Sequence, residues 1–542
     1  MIRRMRSIMP LFLLLLVAMP VAQVQAQQQN KTVAVMSVSS VDSLLGNVGY
    51  LGEAAGFAEA LPIVTMMAGP YLEGVDRGNP IGMVLNTDGQ EFSPLGFVPV
   101  KDLDKVFAAM EDTVGSPRDA GNGIKEIPGF QPIFIKEQGG FAFIGQTIES
   151  MGELPQKPVA SLGNLPNEYD FAVRGFLQNI PEEYLQMAVD GLQEGVKQGL
   201  EQLPEEDRDN QARMLEAQMK QMESYIKESD ELTIGWKTEP AKKRTFIDIS
   251  FSAIPGGTLA KQMNTMANTT SDYSGFVVPG AAMSMNFSSE IPEEQIASSM
   301  EAIEGMKAAA LKEIDRDDNL EEDGRMAAKK MAGAAIDIMI ETMKTGKMDG
   351  AMSIVLDSND LQMVGGFHVA DGKDIENILR DLAEMAKNEK DFPGINFNAE
   401  KAAGVAYHTM EMPVPDDEEE AKKILGDSLE MAVGVGETSA YIGFGKNCVE
   451  NLKQIVAGQP KAKKVLPFDM TMSLTPIMEF VAGIEDNPMI GAVTDALKED
   501  DMDHVRLQVV PKQNGFTYRI ELEEGILRAI GAGVNTAGAG DF

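Results

Sequence analysis

Two stretches of this chain read alike. "AYIGFGKNCVENL" (440–452) runs strand-like to a glycine and then changes to a helical pattern, and "GFAFIGQTIESM" (140–151) does the same. Apolar alternation that stops at Gly and resumes with helical spacing is strand-to-helix punctuation. Neither stretch is a nucleotide loop. "GFGKN" lacks the upstream glycine and the Ser/Thr of a phosphate loop, and "GVGETS" from Gly434 lacks the third glycine of a dinucleotide fingerprint.

Other segments recur in the same order around this pair. Residues 79–107 match 350–379, which sets Gly96-Phe97 against Gly366-Phe367. Gly145 then faces Gly445, and Glu149 faces Glu450. "YDFAV" (169–173) matches "FDMTM" (468–472), with Asp170 against Asp469. Last, 231–251 matches 504–524, both hairpin patterns closed by polar turns.

The expectation is therefore α+β: a tandem duplication of a mainly antiparallel sheet domain with helices packed on one face. Its expected divisions are a signal peptide at 1–26, a first α+β repeat at 31–262, a linker at 263–275, a second α+β repeat at 276–530 and a flexible tail at 531–542. Helices inserted after Pro181 in the first copy and after Pro292 in the second distinguish the two.

The leader carries Arg3, Arg4 and Arg6, then a short apolar run, then Val24-Gln25-Ala26. That pattern fits a secretory signal peptide cleaved before Gln27. The run is shorter than the about 20 residues a membrane anchor needs, so no transmembrane segment is expected in the mature chain. Secreted or periplasmic localisation follows. Cys448 is the only cysteine, so stability must come from a core rather than an internal disulfide.

With 47 Lys+Arg against 83 Asp+Glu, the formal net charge is −36. A chain this acidic repels phosphate backbones and anionic bilayers, which excludes nucleic acid as a partner.

All three histidines (His368, His408, His504) and Cys448 lie in the second copy, which rules out a duplicated His- or Cys-based site. His368 and His408 sit in strand-like runs, which allows an approach across a sheet. Two histidines without further ligands make no zinc site, and catalysis needs a positioned partner. Cys448 matches an apolar position near Ile148 and reads as a buried filler. "DRDDNLEEDG" (315–324) fails as a calcium loop, with Leu320 where Gly is required and Met326 where Glu is required. It and "PVPDDEEEAKK" (413–423) read as acidic helix starts. No catalytic, cofactor-binding or metal residue is assigned, and no cofactor is expected.

Methionine is abundant at 36 residues. Met283-x-Met285, Met410-x-Met412 and Met470-x-Met472 alternate on strands, so each pair shares a face. Met214, Met219 and Met222 form a helical stripe, as do Met331, Met339 and Met343. Core packing accounts for such stripes. The sharper reading is an adaptable apolar groove, since thioether side chains are flexible and polarizable.

The leader, acidic balance, Met and Gly richness and long duplicated body resemble uncharacterised secreted proteins of planctomycete-type bacteria. The resemblance implies no activity and transfers no functional residue. The expected function is an exported non-catalytic periplasmic or cell-envelope protein with a binding or scaffolding role, its partner an envelope protein or an apolar ligand. The alternatives are a carrier of an apolar ligand in a Met-lined groove and a hydrolase with a single site in the second repeat.

Overall fold

The computed structural model describes residues 30–539, apart from 59–61, 63–64, 67, 130, 202–224, 317–321, 358–359, 388–391, 415–421, 423–424, 485–486 and 499–501. The leader, the Met214–Met219–Met222 stripe and parts of both acidic runs lie outside the described residues. The chain divides into two compact units. The first comprises 30–188 and 229–253, and the second 189–228 and 254–539.

Unit 1 contains β1 (Lys31–Val38), β2 (Ile81–Thr87), β3 (Phe92–Pro99), β4 (Arg118–Gly121), β5 (Ile124–Ile127), β6 (Ile133–Gln138), β7 (Phe141–Gly145), β8 (Phe171–Phe176), β9 (Ser229–Glu239) and β10 (Arg244–Ala253). Every pairing is antiparallel, and the spatial order is β4-β5-β6-β7-β3-β2-β1-β8-β9-β10.

Unit 2 contains β11 (Thr270–Ser271), β12 (Met283–Glu290), β13 (Lys347–Asp357), β14 (Asp360–His368), β15 (Asn396–Ala402), β16 (Val405–Pro413), β17 (Ser428–Val435), β18 (Ser439–Phe444), β19 (Lys463–Lys464), β20 (Phe468–Ser473), β21 (His504–Lys512) and β22 (Gly515–Glu523). Leaving aside the small β11–β19 pair, the antiparallel order is β15-β16-β17-β18-β14-β13-β12-β20-β21-β22. Taken in chain order, the strands of the two units occupy the same places.

The ladders also fix which residues share a place. One row across unit 1 reads Ile144, Gly96, Met83, Met36, Val173, Ile234, Ile249. One row across unit 2 reads Ile442, Gly365, Met352, Met285, Met470, Leu507, Ile520. Gly96 therefore stands where Gly365 stands, not Gly366. The repeated Gly-Phe is one residue out of step, and one step turns every side chain to the other face. At Gly366 the space belongs to Phe276, whose ring carbon lies 2.4 Å from where a Cβ would sit.

Asp102 caps the helix Leu103–Val114 by accepting from the Lys105 N–H. Asp371 caps Gly372–Ala386 by accepting from the Lys373 N–H. An Asp at this position satisfies an N–H that the helix itself leaves unpaired.

Alternation along β7 sends adjacent residues into different cores. Phe143 packs with Phe97, Met151 and Leu162, whereas Ala142 packs with Phe107, Ile127 and Ile135. Helix Leu103–Val114 thus covers the face opposite the main core. In unit 2 the main core holds Phe276, Tyr407, Tyr441, Cys448 and Leu452, the last two from helix Cys448–Gly458. Helix Gly372–Ala386 packs at the other face of β17 and β18. The expectation of helices on one face is corrected: apolar residues alternate to both sides of these strands, and each side acquires a cover.

Three further expectations change. Residues 263–275 are not a linker. Met263 and Tyr273 are buried, β11 pairs with β19, and the boundary falls after Ala253. The end of the chain is helical from Glu524 to Ala539, so 531–539 is not a loose tail. A hairpin in each half also escaped the sequence reading: β4 and β5 have four residues each, and of β15–β16 only the His408 run was read as strand, its partner β15 being polar.

Candidate functional site

The three methionine pairs converge on one face of unit 2. Met283 lies opposite Met472, and Met285 opposite Met470. On the other side Met285 faces Met352, and Ile354 links Met283 to Met363. Farther along, Met431 faces Met410. Opposed residues have Cβ atoms about 4.5–5.5 Å apart, so these side chains form one apolar strip, in which Ile354 separates Met283 from Met363 and Phe444 separates Met363 from Met431. These eight methionines are half-buried, whereas Met412, the other member of the third pair, is exposed. The strip lies on the face opposite the Tyr407–Tyr441 core.

The corresponding face of unit 1 is aliphatic. Val173, Ile234 and Ile249 stand side by side on β8, β9 and β10, with Ile234 49% exposed. A contiguous apolar patch of this kind marks an interaction surface more often than an isolated exposed Leu does. Methionine adds adaptability, because its unbranched chain repacks against differently shaped partners.

The histidines do not form a site together. His368 pairs with Ser439 on β18, whereas His408 pairs with Val433 on β17, which faces Ile442 on β18. Three strand spacings and three residues of offset separate them by about 17 Å. They also point to opposite faces, His368 to the main-core side and His408 to the methionine side.

His368 Nδ1 meets the Thr438 carbonyl at 3.1 Å, and Nε2 meets Thr345 Oγ1 at 3.3 Å. Burial, then the nearby Lys347 ammonium, hold its pKa below the usual histidine value. Lys347 itself bridges Asp272 at 3.0 Å and the fully buried Asp349 at 3.2 Å.

His408 is 2% exposed and packs edge-on to Phe397, which in turn lies under the Arg380 guanidinium. Asn398 N–H donates to its Nδ1 at 3.3 Å, which leaves the proton on Nε2. Burial lowers this pKa too.

Cys448 is buried at the start of its helix, 3.1 Å from where a Cβ on Gly443 would sit. In unit 1 the matching glycine is Gly145, beneath Ser150 and Met151. The sequence match to Ile148 is thus displaced, and so is the pairing of Gly145 with Gly445. Gly445 instead forms a left-handed turn at φ 94°. Burial raises the Cys448 thiol to about 11, with Glu430 adding to the effect. The thiol is a core filler.

Asp170 and Asp469 are not equivalent. Asp170 precedes β8 and is fully buried. It accepts from Thr238 N–H at 2.7 Å and Asn47 at 2.8 Å, and from Lys237 at 3.1 Å. Asp469 lies inside β20, where Ala172 lies in unit 1, and accepts from Gln508 at 3.2 Å.

The sequence reading missed one constellation. His504 on β21 is brought beside Asp503 and, across the hairpin, Glu523. The signal was present in the hairpin itself. Once the turn is placed at Gln513-Asn514, where Lys512 pairs with Gly515, His504 falls opposite Glu523.

No protein-family model matches the chain, and neither does any curated protein or any solved structure. No described helix is long and apolar enough to cross a membrane.

Proposed function

We propose that this chain is an exported, non-catalytic binding protein of the periplasm or cell envelope. In this reading it arose by tandem duplication of one sheet unit, and the methionine-lined face of unit 2 takes an apolar ligand. The observation that carries the proposal is the methionine strip, in which opposed thioethers from four neighbouring strands and two farther ones share one face. Duplication is supported by the common strand order and by the pairs Gly96/Gly365, Met83/Met352 and Met36/Met285 at matching rows. Export is supported by the leader pattern. A hydrolase using His368 and His408 together has no support in this register.

The test uses purified chain beginning at Gln27 and the neutral fluorescent probe N-phenyl-1-naphthylamine. Saturable binding is expected. It should weaken at least tenfold in Met285→Glu/Met352→Glu, which places two carboxylates mid-strip. Unchanged binding in a folded double variant refutes the assignment of the face. N-terminal sequencing of the envelope fraction checks export, and an intact Met1 on cytoplasmic protein refutes it.

A further inference from the structure

We propose that Asp503, His504 and Glu523 form a binding site for a divalent transition-metal cation of the zinc type. One potential ligand atom from each lies within 4.8 Å of the others. His504 Nδ1 is 2.8 Å from Glu523 Oε2 and 3.3 Å from Asp503 Oδ1. With bonds of about 2.0–2.1 Å, neighbouring ligands of such an ion stand about 2.9 Å apart in octahedral and about 3.3 Å in tetrahedral geometry. The two separations from Nδ1 lie near that range, and the three ligand atoms all lie within 4.8 Å of one another.

Each carboxylate is held by its other oxygen. Asp503 Oδ2 accepts from Ser473 Oγ at 2.6 Å and from Thr475 N–H at 2.8 Å. Glu523 Oε1 is held by Arg506 Nη2 at 2.9 Å. The remaining oxygens, Asp503 Oδ1 and Glu523 Oε2, turn toward the imidazole. Glu523 Oε2 also accepts the His504 backbone N–H at 3.0 Å, which fixes it further. Outer contacts that orient metal ligands have this form. The His504 side chain is 33% exposed, which leaves room for water to complete the coordination.

The burial of the two carboxylates is a second argument. Asp503 and Glu523 are 4% and 5% exposed, and Arg506, which pairs with Glu523, shares its charge with Glu521. The N-terminus of helix Leu474–Ile484, whose Thr475 N–H reaches Asp503, offsets about half a charge more. Buried charge in a protein is paired or coordinates a metal.

The test strips the full mature chain with EDTA and titrates it calorimetrically with Zn²⁺. Co²⁺ absorption in the visible range gives a second reading of a nitrogen-containing ligand set. One equivalent is expected to bind well above the background of the acidic surface, and to weaken at least tenfold in His504→Ala and in Glu523→Gln. His368→Ala should keep full affinity. Circular dichroism checks folding. If Glu523→Gln unfolds, His504→Ala alone decides, because that side chain lies at the rim. Absence of a stoichiometric Zn²⁺ equivalent in the wild type overturns the proposal. So does unchanged binding by folded His504→Ala, which reveals adventitious binding to surface acids.

Discussion

Replacing Asp170 by Asn tests the placement of the two aspartates directly. Thr238 N–H and the Asn47 amide donate to Oδ2, and Lys237 lies 3.1 Å from Oδ1. The Asn amide must put its NH₂ toward one of these donor groups, so donors meet donors on one side. Hydrogen bonds to a charged group contribute about 1.5–3 kcal/mol each. Lys237 is partly exposed, so its ion pair is discounted for solvent screening. The expected loss is about 3 kcal/mol, toward the lower end for breaking a buried pair.

Asp469→Asn should behave differently. Burial raises the Asp469 pKa, so its charge is disfavoured already. Asn286, directly opposite, has a buried Oδ1 without a hydrogen-bond partner among the described residues, and a new amide N–H at 469 supplies one. The expected change lies between neutral and a gain of about 1 kcal/mol.

Urea unfolding gives the assay. Trp236 is the single tryptophan, and its carbonyl accepts the Asp170 N–H at 2.9 Å, so its fluorescence reports on unit 1. With a slope of about 2–3 kcal/mol/M, Asp170→Asn should lower the midpoint by about 1–1.5 M. Far-UV circular dichroism and hydrogen exchange in β20 follow Asp469→Asn. Equal damage from the two substitutions refutes the reasoning and restores the equivalence suggested by sequence.

The remaining predictions concern unit 2. His408 is held neutral below its unfolded value of about 6.5, so the unfolded chain takes up the proton first as pH falls. This part of the stability is full above about pH 6.5 and is lost as pH drops from there through the lower folded value. Urea midpoints at pH 8 and pH 5.5 should differ more in the wild type than in a folded His408→Gln variant. Cys448, with its thiol raised to about 11, should resist iodoacetamide at pH 8 in the native protein and react at once in urea. Rapid native labelling would show an open helix start. Gly366→Ala should cost about 1–3 kcal/mol by overpacking against Phe276, read by calorimetry, and a smaller loss would mean that the ring has room to move.

Apart from β4, β5 and β15, the strand and helix succession of each half was legible because it rests on local pattern. Alternation and Gly punctuation act within a few residues. The recurrence of that succession and the pairing of methionines on single strands were legible for the same reason.

The ladder decided the rest. Matching Gly-Phe to Gly-Phe is the natural alignment of the letters. Yet Gly96 stands at Gly365, because hydrogen-bond register has a period of two and a slip of one exchanges the faces. The same exchange put His368 and His408 on opposite sides and separated Asp170 from Asp469. Burial of Tyr273 beside Phe276 depended on the space above Gly366, which only the folded sheet creates. The strip of methionines from distant strands and the meeting of Asp503, His504 and Glu523 are contacts across strands. Chain spacing fixes what a residue is and which way it alternates, but which residue it meets is set by the register of the neighbouring strand.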